Sequence, residues 1–260
     1  MHDDLAELFP GRKAKLQKIL RYHAFDTMFY RTNDWIHSLR VSWLVEDMLP
    51  LAKRHFKRFD AERAMALALV HDDAEILTGD VQAGHKAVMS KRQLEKVHEN
   101  ERRAIAKMKI RYPIKVHGKY SYAALLLEAF EKKTVESQFV SFADKMDAHC
   151  ESLHEIYAGN FGHLRSVHFY ALLFSTADKK FPKLKPMLDD KRSVFTDAKG
   201  FLFEHFVKAR KYKSFGKPFT KKTVILPSQF PFYDRWRKIT LIQGGKEGLH
   251  ALINQKERLA

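Results

Sequence analysis

The stretch DAERAMALALVHDDAEILTG, residues 60 to 79, constrains this chain more than any other. Ala64 to Val70 is the longest unbroken apolar run, and Asp60 before it and Gly79 after it are residue types that start and stop helices. A helix that is apolar almost all the way round belongs in the middle of a core. Directly behind the run stand His71, Asp72, Asp73 and Glu75, with Asp80 just past the glycine. Ionisable groups carried inward are costly unless they are paired, protonated or bound to a metal. Three readings are open at this point: a solvated helix end, a satisfied polar core, or a metal site.

Elsewhere in the first 210 residues, apolar positions recur at three- and four-residue spacing and strand-like alternation is scarce, which predicts an all-α fold. Ile36, Val41, Leu44, Val45 and Met48 mark the inner face of a long helix started by Asn33 or Asp34 and bent or ended at Pro50. His37 shares that face. An exposed, charged helix is expected from about Lys91 to Arg111, ended by Pro113, and a shorter one over 121–131. Phe139, Val140, Phe142, Ala143, Met146 and Ala148 place another inward face on 135–158, and further helices are expected near 162–177 and 192–210. Beyond Ser214 the pattern changes: TVILP is β-branched, and Gly216, Pro218, Pro227, Pro231 and the pair Gly244-Gly245 interrupt the chain. The expected organisation is a helical bundle over 1–210 and a loop-rich basic extension over 211–260, with a short strand pair and a closing helix near 245–258.

At 260 residues and 45% apolar composition the chain can bury a sizeable core and is not disordered. The longest apolar run is far shorter than the roughly 20 residues needed to cross a bilayer, and the acidic start MHDDLAELFP carries no secretory pattern. The single cysteine, Cys150, forbids an internal disulfide and fits a reducing compartment, so a cytoplasmic protein with no membrane partner is expected. The net charge of +16 admits an anionic partner without choosing one. Residues 208–260 hold thirteen Lys/Arg against three Asp/Glu, so +10 of that charge lies in the last fifth of the chain. This tail is either a solvated basic face or a binding surface. KKTVILPSQFPFYDRWRK mixes cations with aromatics, as single-strand nucleic-acid surfaces do, and equally as a strip packed on a core with its lysines in water.

For the acidic string, two His and two Asp on rigid helices would make a set suited to Mn, Fe, Co, Ni or Zn, with positions left for water and substrate. His71 and Asp72 can reach one ion only where their segment faces a shared cleft. His37 is the natural third ligand from the inner face of the preceding helix, and Asp144 the fourth, following FVSFA; Asp147 is its rival. Asp73 reads as a supporting or solvated residue.

These residues resemble the HD-domain metal-dependent phosphohydrolases, whose signature is a first His, a later His-Asp pair and a distant Asp: here His37, His71-Asp72 and Asp144. The likeness is to the 5'-deoxynucleotidase branch, whose HDxxEVLTGD or HDxxEILTGD block is matched by HDDAEILTGD at 71–80, followed by ADKM at 143–146 where the branch has ADxL, and AGN at 158–160. It covers roughly residues 20 to 165. It implies an all-α bundle holding one divalent ion (Co, Mn, Zn, Fe or Ni) between His37, His71, Asp72 and Asp144. The implied activity is removal of phosphate from deoxynucleoside 5'-monophosphates, and related proteins imply a homodimer.

Within that reading Glu75, one helical turn after His71, is a general acid or base, and Asp80 a substrate-side residue bonding a sugar hydroxyl. Lys86 offers a point charge to phosphate or is simply solvated. Arg21-Tyr22 stands where the branch carries an Arg-Trp pair that grips phosphate and base, and Ile36 stands where it carries Glu. The alternatives are a hydrolase of the same type acting on another nucleotide or phosphate ester, and a non-enzymatic nucleic-acid-binding protein using its basic tail.

Overall fold

A computed structural model of the chain describes residues 7–23, 28–158, 160–196 and 231–253, and most of these are helical. In chain order the elements are α1 (Arg12–Gln17), α2 (Asp34–His55), α3 (Ala61–Val70), α4 (Glu75–Thr78), α5 (Ala83–Lys86) and α6 (Lys91–Arg111). A small antiparallel pair follows, β1 (Lys115–Val116) with β2 (Tyr120–Ser121), Val116 opposite Tyr120. Then come α7 (Tyr122–Glu131), α8 (Val135–Tyr157), α9 (Leu164–Ser175), α10 (Ala177–Lys180), α11 (Lys185–Leu188) and α12 (Pro231–Ile253). The fold is all-α.

Local chemistry sets the helix starts. The Asn33 side chain accepts from the Ile36 amide at 3.1 Å, and Asp60 accepts from Arg63 at 2.9 Å. Ser90 with Gln93, and Thr134 with Ser137, form reciprocal capping boxes for α6 and α8. Pro50 does not end α2, which runs on to His55. The residue lies on the exposed side, where water can serve the carbonyl that its ring deprives of a donor.

The core is the mutual packing of α2, α3 and α8. In α3 every residue from Ala66 to Val70 is buried, as an all-round apolar helix requires, and its three buried alanines let the flanking helices approach closely. Helix α9 covers α8 with Val167, Tyr170, Ala171 and Phe174, and α7 covers α3. Cys150 lies fully buried on α8, where burial pushes its thiol pKa up and leaves it no reactive character.

The C-terminal reading needs correction. Helix begins already at Pro231, where loops were expected; it breaks at Gly245 (φ 49°), and a second helical stretch then runs to Ile253, where the closing helix near 245–258 was expected. Phe232, Tyr233, Trp236, Ile239 and Thr240 recur at helical spacing and are buried, because α12 packs on α2 and α8. Those three aromatic faces are therefore inside the protein. The strand pair expected at TVILP, the boundary at 210/211, and the helix expected over 192–210 beyond Thr196 lie outside the described residues. No described helix is long and apolar enough to cross a membrane.

Candidate metal centre

The helix expected to continue from Asp60 to Gly79 is broken at the acidic string. Helix α3 stops at Val70, and the amides of Asp73, Glu75, Ile76 and Leu77 bond three residues back, in tight 3₁₀-type turns, before α4 closes on Gly79 at φ 72°. Two side chains take the carbonyls that a continuous helix would have used. His71 Nδ1 donates to the Ala68 carbonyl at 2.8 Å, and the Arg12 guanidinium donates to that of Leu69. The tightened backbone turns Asp72 toward a cavity and Asp73 away from it.

Both histidines are pinned at Nδ1. A carbonyl can only accept, so His71 carries its proton on Nδ1. His37 Nδ1 lies 2.7 Å from Asp147 Oδ2, and Arg40 beside Asp147 keeps that carboxylate ionised against its burial, so it too accepts. Each imidazole therefore points Nε2 away from its anchor. Those two atoms are buried and make no hydrogen bond among the described residues.

They converge on shared ground. His37 Nε2 stands 3.3 Å from Asp72 Oδ2 and 3.4 Å from Asp144 Oδ1, and His71 Nε2 stands 3.2 Å from Asp72 Oδ2. One donor atom from each of His37, His71 and Asp72 falls within 4.8 Å of the others. Asp144 joins the trio through His37, its second oxygen held by Lys145 at 2.6 Å. Two unengaged imidazole nitrogens and two carboxylate oxygens are a donor set that fits a divalent ion of the Mn-to-Zn series.

The electrostatics follow from this crowding. Burial works against a charge on His37, yet Asp144, Asp147 and Asp72 together lift its pKa well above the ordinary imidazole value. Burial also opposes the charge of Asp72, which His71 and His37 hold well below the carboxylate range; Lys145 and His37 do the same for Asp144.

The wall behind them belongs to a cavity of about 950 Å³. It carries Arg21, Glu75, Asp80 and Lys86 beside His71, Asp72 and Asp144, and an apolar side with Leu126, Phe130 and Leu173. Arg21 is buried, with Nη1 4.0 Å from Asp72 and Nε donating to Glu151 at 3.3 Å. Glu75 shares a carboxylate cluster with Asp72 and Asp34, and its pKa is raised well above the usual range, first by burial and then by Asp72, Asp34 and Asp80. Asp80 is raised by burial and opposed by Arg21. Lys86 borders the cavity while donating to Glu101 at 2.6 Å. Tyr22 adopts φ 53° and lines the cavity, while its hydroxyl turns to α8, bonding Ala148 and Ser152.

Sequence reasoning missed Asp34, Arg40 and Trp236. Asp34 is fully buried with neither oxygen hydrogen-bonded among the described residues, and burial with Asp72 nearby raises its pKa to about 8. Its position beside the capping Asn33 made it look like part of the helix start. Asp73 is not solvated: it is buried against Arg12 and Tyr122. Asp147, the rival for Asp144, sits behind His37 on its Nδ1 side.

The described curated relative is a 5'-deoxynucleotidase of Shewanella oneidensis, 30% identical over 125 residues, which are 48% of this chain and 62% of that protein. The chain thus matches somewhat less than two thirds of the relative's length. Among solved structures, a conserved hypothetical protein from Pyrococcus furiosus superposes with a TM-score of 0.52 at 19% identity, covering 75% of this chain and 98% of that one, a likeness of fold. The family model described as 5'-deoxynucleotidase YfbR-like matches residues 11–170. That span holds every residue of the histidine and carboxylate cluster and well over half of the sequence, so the chain belongs to the YfbR-like 5'-deoxynucleotidase family.

Proposed function

We propose that the chain is a divalent-metal-dependent phosphohydrolase, in its sharpest form a 5'-nucleotidase acting on deoxynucleoside 5'-monophosphates. The observation that carries this reading is the convergence of His37, His71 and Asp72 within 4.8 Å at the wall of a large cavity. His37, His71, Asp72 and Asp144 would hold the ion, one of Co, Mn, Zn, Fe or Ni, since the same donors accept all of these. Bound there, a divalent ion supplies activation of water and neutralisation of charge on phosphoryl oxygens.

The remaining roles belong to the chain's own groups. Glu75, at the cavity wall beside Asp72, accepts the proton of the attacking water or returns one to the leaving 5' oxygen. Arg21, already inside the cluster, offers a guanidinium to the phosphate; Lys86 offers a second cation once it exchanges Glu101 for substrate. Asp80 bonds a sugar hydroxyl, Tyr22 lends a ring beside the sugar or base, and the apolar side of the cavity takes the base. The same reading carries a cytoplasmic homodimer, which light scattering coupled to size exclusion tests.

The test of the activity is phosphate release. The purified chain, stripped with chelator and reloaded with Mn or Co, is expected to release inorganic phosphate from deoxynucleoside 5'-monophosphates faster than from ribonucleoside monophosphates or triphosphates. No release from the whole panel, with metal shown to be bound, overturns the proposal; faster release from another member of the panel replaces the substrate.

A further inference from the structure

We propose that Trp236, on a helix outside the stretch that carries the family likeness, is a positioning residue for the His37 side of the site, acting through Asp147. The inference rests on the metal-site reading above. Its own ground is a hydrogen-bond chain: Trp236 Nε1 donates to Asp147 Oδ1 at 2.6 Å, and Asp147 Oδ2 lies 2.7 Å from His37 Nδ1.

An Asp carboxylate turns easily about its last torsion, because that torsion has no sharp staggered wells. Of the donors on α2, His37 and Arg40 hydrogen-bond only Oδ2; Arg40 Nε pairs with Oδ1 by charge at 2.8 Å but is not aligned to hydrogen-bond it. Arg40 Nη2 donates to Oδ2 at 3.0 Å, the same oxygen that His37 uses. Trp236 supplies a neutral N–H to the opposite oxygen from a different helix. Fixed at both oxygens, Asp147 holds the imidazole of His37 in one ring orientation, with the proton on Nδ1 and Nε2 turned to Asp72 and Asp144. All three groups are shut from solvent: Asp147 and His37 are 0% exposed and Trp236 is 1% exposed. The indole also covers Arg40, whose guanidinium carbon lies 5.3 Å from the ring centroid.

The indole can act this way only if its helix is itself held, and contacts on both sides of Trp236 hold it. Tyr233 bonds His154 Nδ1 on α8 at 2.7 Å, and Arg235 donates to Asp47 on α2. Farther along, Gly244 lies so close to α2 that a Cβ there would come within 2.8 Å of the Trp43 ring. This is why the position has no side chain. Helix α12 thus adds to the support of a site whose proposed metal ligands lie between residues 37 and 144.

The test compares two variants of the full chain by metal titration. Trp236→Phe keeps an aromatic ring and removes the N–H; Tyr233→Phe removes another hydrogen bond of the same helix to α8, one that does not touch Asp147. Trp236→Phe is expected to weaken Mn or Co binding roughly 10- to 100-fold, the range for loss of a partner behind a metal-ligating histidine, while Tyr233→Phe leaves the affinity where it was. Unchanged affinity in Trp236→Phe, or an equal loss in Tyr233→Phe, overturns the inference. Should Trp236→Phe fail to fold by circular dichroism, the wild-type chain labelled with ¹⁵N-Trp decides. Its Trp236 indole resonance, assigned by elimination with Trp35→Phe and Trp43→Phe, is expected to shift in step with added metal, and a stationary resonance overturns the inference. A wild-type chain that takes up no metal removes the metal-site reading itself and this inference with it. That outcome is distinct from a wild type that binds and a Trp236→Phe variant that binds equally well.

Discussion

Asp72 and Asp73 are neighbours on one turn of backbone and meet opposite fates. Asp73 faces into the protein, where Arg12 donates to both its oxygens at 2.7 Å and the Tyr122 hydroxyl donates at 2.8 Å. Asp72 faces a cavity, where two histidine tips stand at 3.2 and 3.3 Å without hydrogen bonds among the described residues, and where the carboxyl groups of Asp34 and Glu75 crowd it. The first arrangement spends its donors and acceptors on one another and ties α1 to the end of α3. The second leaves them aimed at a common point. Burial of a polar group for stability and burial for a ligand are thus told apart by whether the hydrogen bonds are finished.

The largest effect expected from breaking this contrast falls on activity at Asp72. Asp72→Asn keeps the size and removes the charge. Phosphate release from a deoxynucleoside monophosphate is expected to fall more than about 10²-fold, beyond what loss of an outer partner costs. Unfolding in urea should move by less than about 1 kcal/mol, as for a change that breaks no finished network. A variant that unfolds early and keeps its activity would erase the distinction between the two residues.

The next effect is on stability at Asp73. Asp73→Ala takes from the buried Arg12 guanidinium the carboxylate it donates to at both oxygens, and loss of one partner of a buried pair costs about 3–5 kcal/mol. Urea unfolding of the metal-free chain measures it, and a loss below about 1 kcal/mol would mean that Arg12 escapes to solvent.

A smaller effect sharpens the same division among histidines. His37 is ringed by carboxylates that raise its pKa, whereas His149, also 0% exposed, stacks on Phe232 beside Tyr170 and Phe174, and burial lowers its pKa to about 3. The unfolded chain takes up this proton near pH 6.5 and the folded chain only near 3, so the folded state loses stability as pH falls below 6.5, by about 2 kcal/mol at pH 5. His149→Phe removes that term. Its urea stability should drop less between pH 7 and pH 5 than that of the wild type, and equal drops would show that His149 takes up its proton while folded.

Much of the site was legible because its signals are local. The block HDDAEILTGD and the inward faces carrying His37 and Asp144 pointed to residues that the fold brings to one place. Helix starts at Asn33, Asp60, Ser90 and Thr134 were equally open to reading where caps were sought, since a cap acts on amides two or three residues away. The break after Val70 was not legible. It depends on Arg12 reaching the Leu69 carbonyl from 57 residues earlier in the chain. Asp34 was hidden for a different reason: at a helix start, an acid that stabilises the helix and an acid that lines a site are the same letter.

By itself, then, the sequence determined an all-α chain with a central apolar helix and a histidine and carboxylate set that resembles the family's motif, since periodicity, caps and motif spacing are short-range properties. Only the tertiary structure decided which of two adjacent aspartates meets the cavity, which nitrogen of His37 is left open, and that a C-terminal tryptophan stands behind it. Those outcomes rest on hydrogen bonds spanning 61, 110 and 89 residues of chain, and partners so far apart in sequence are chosen by packing.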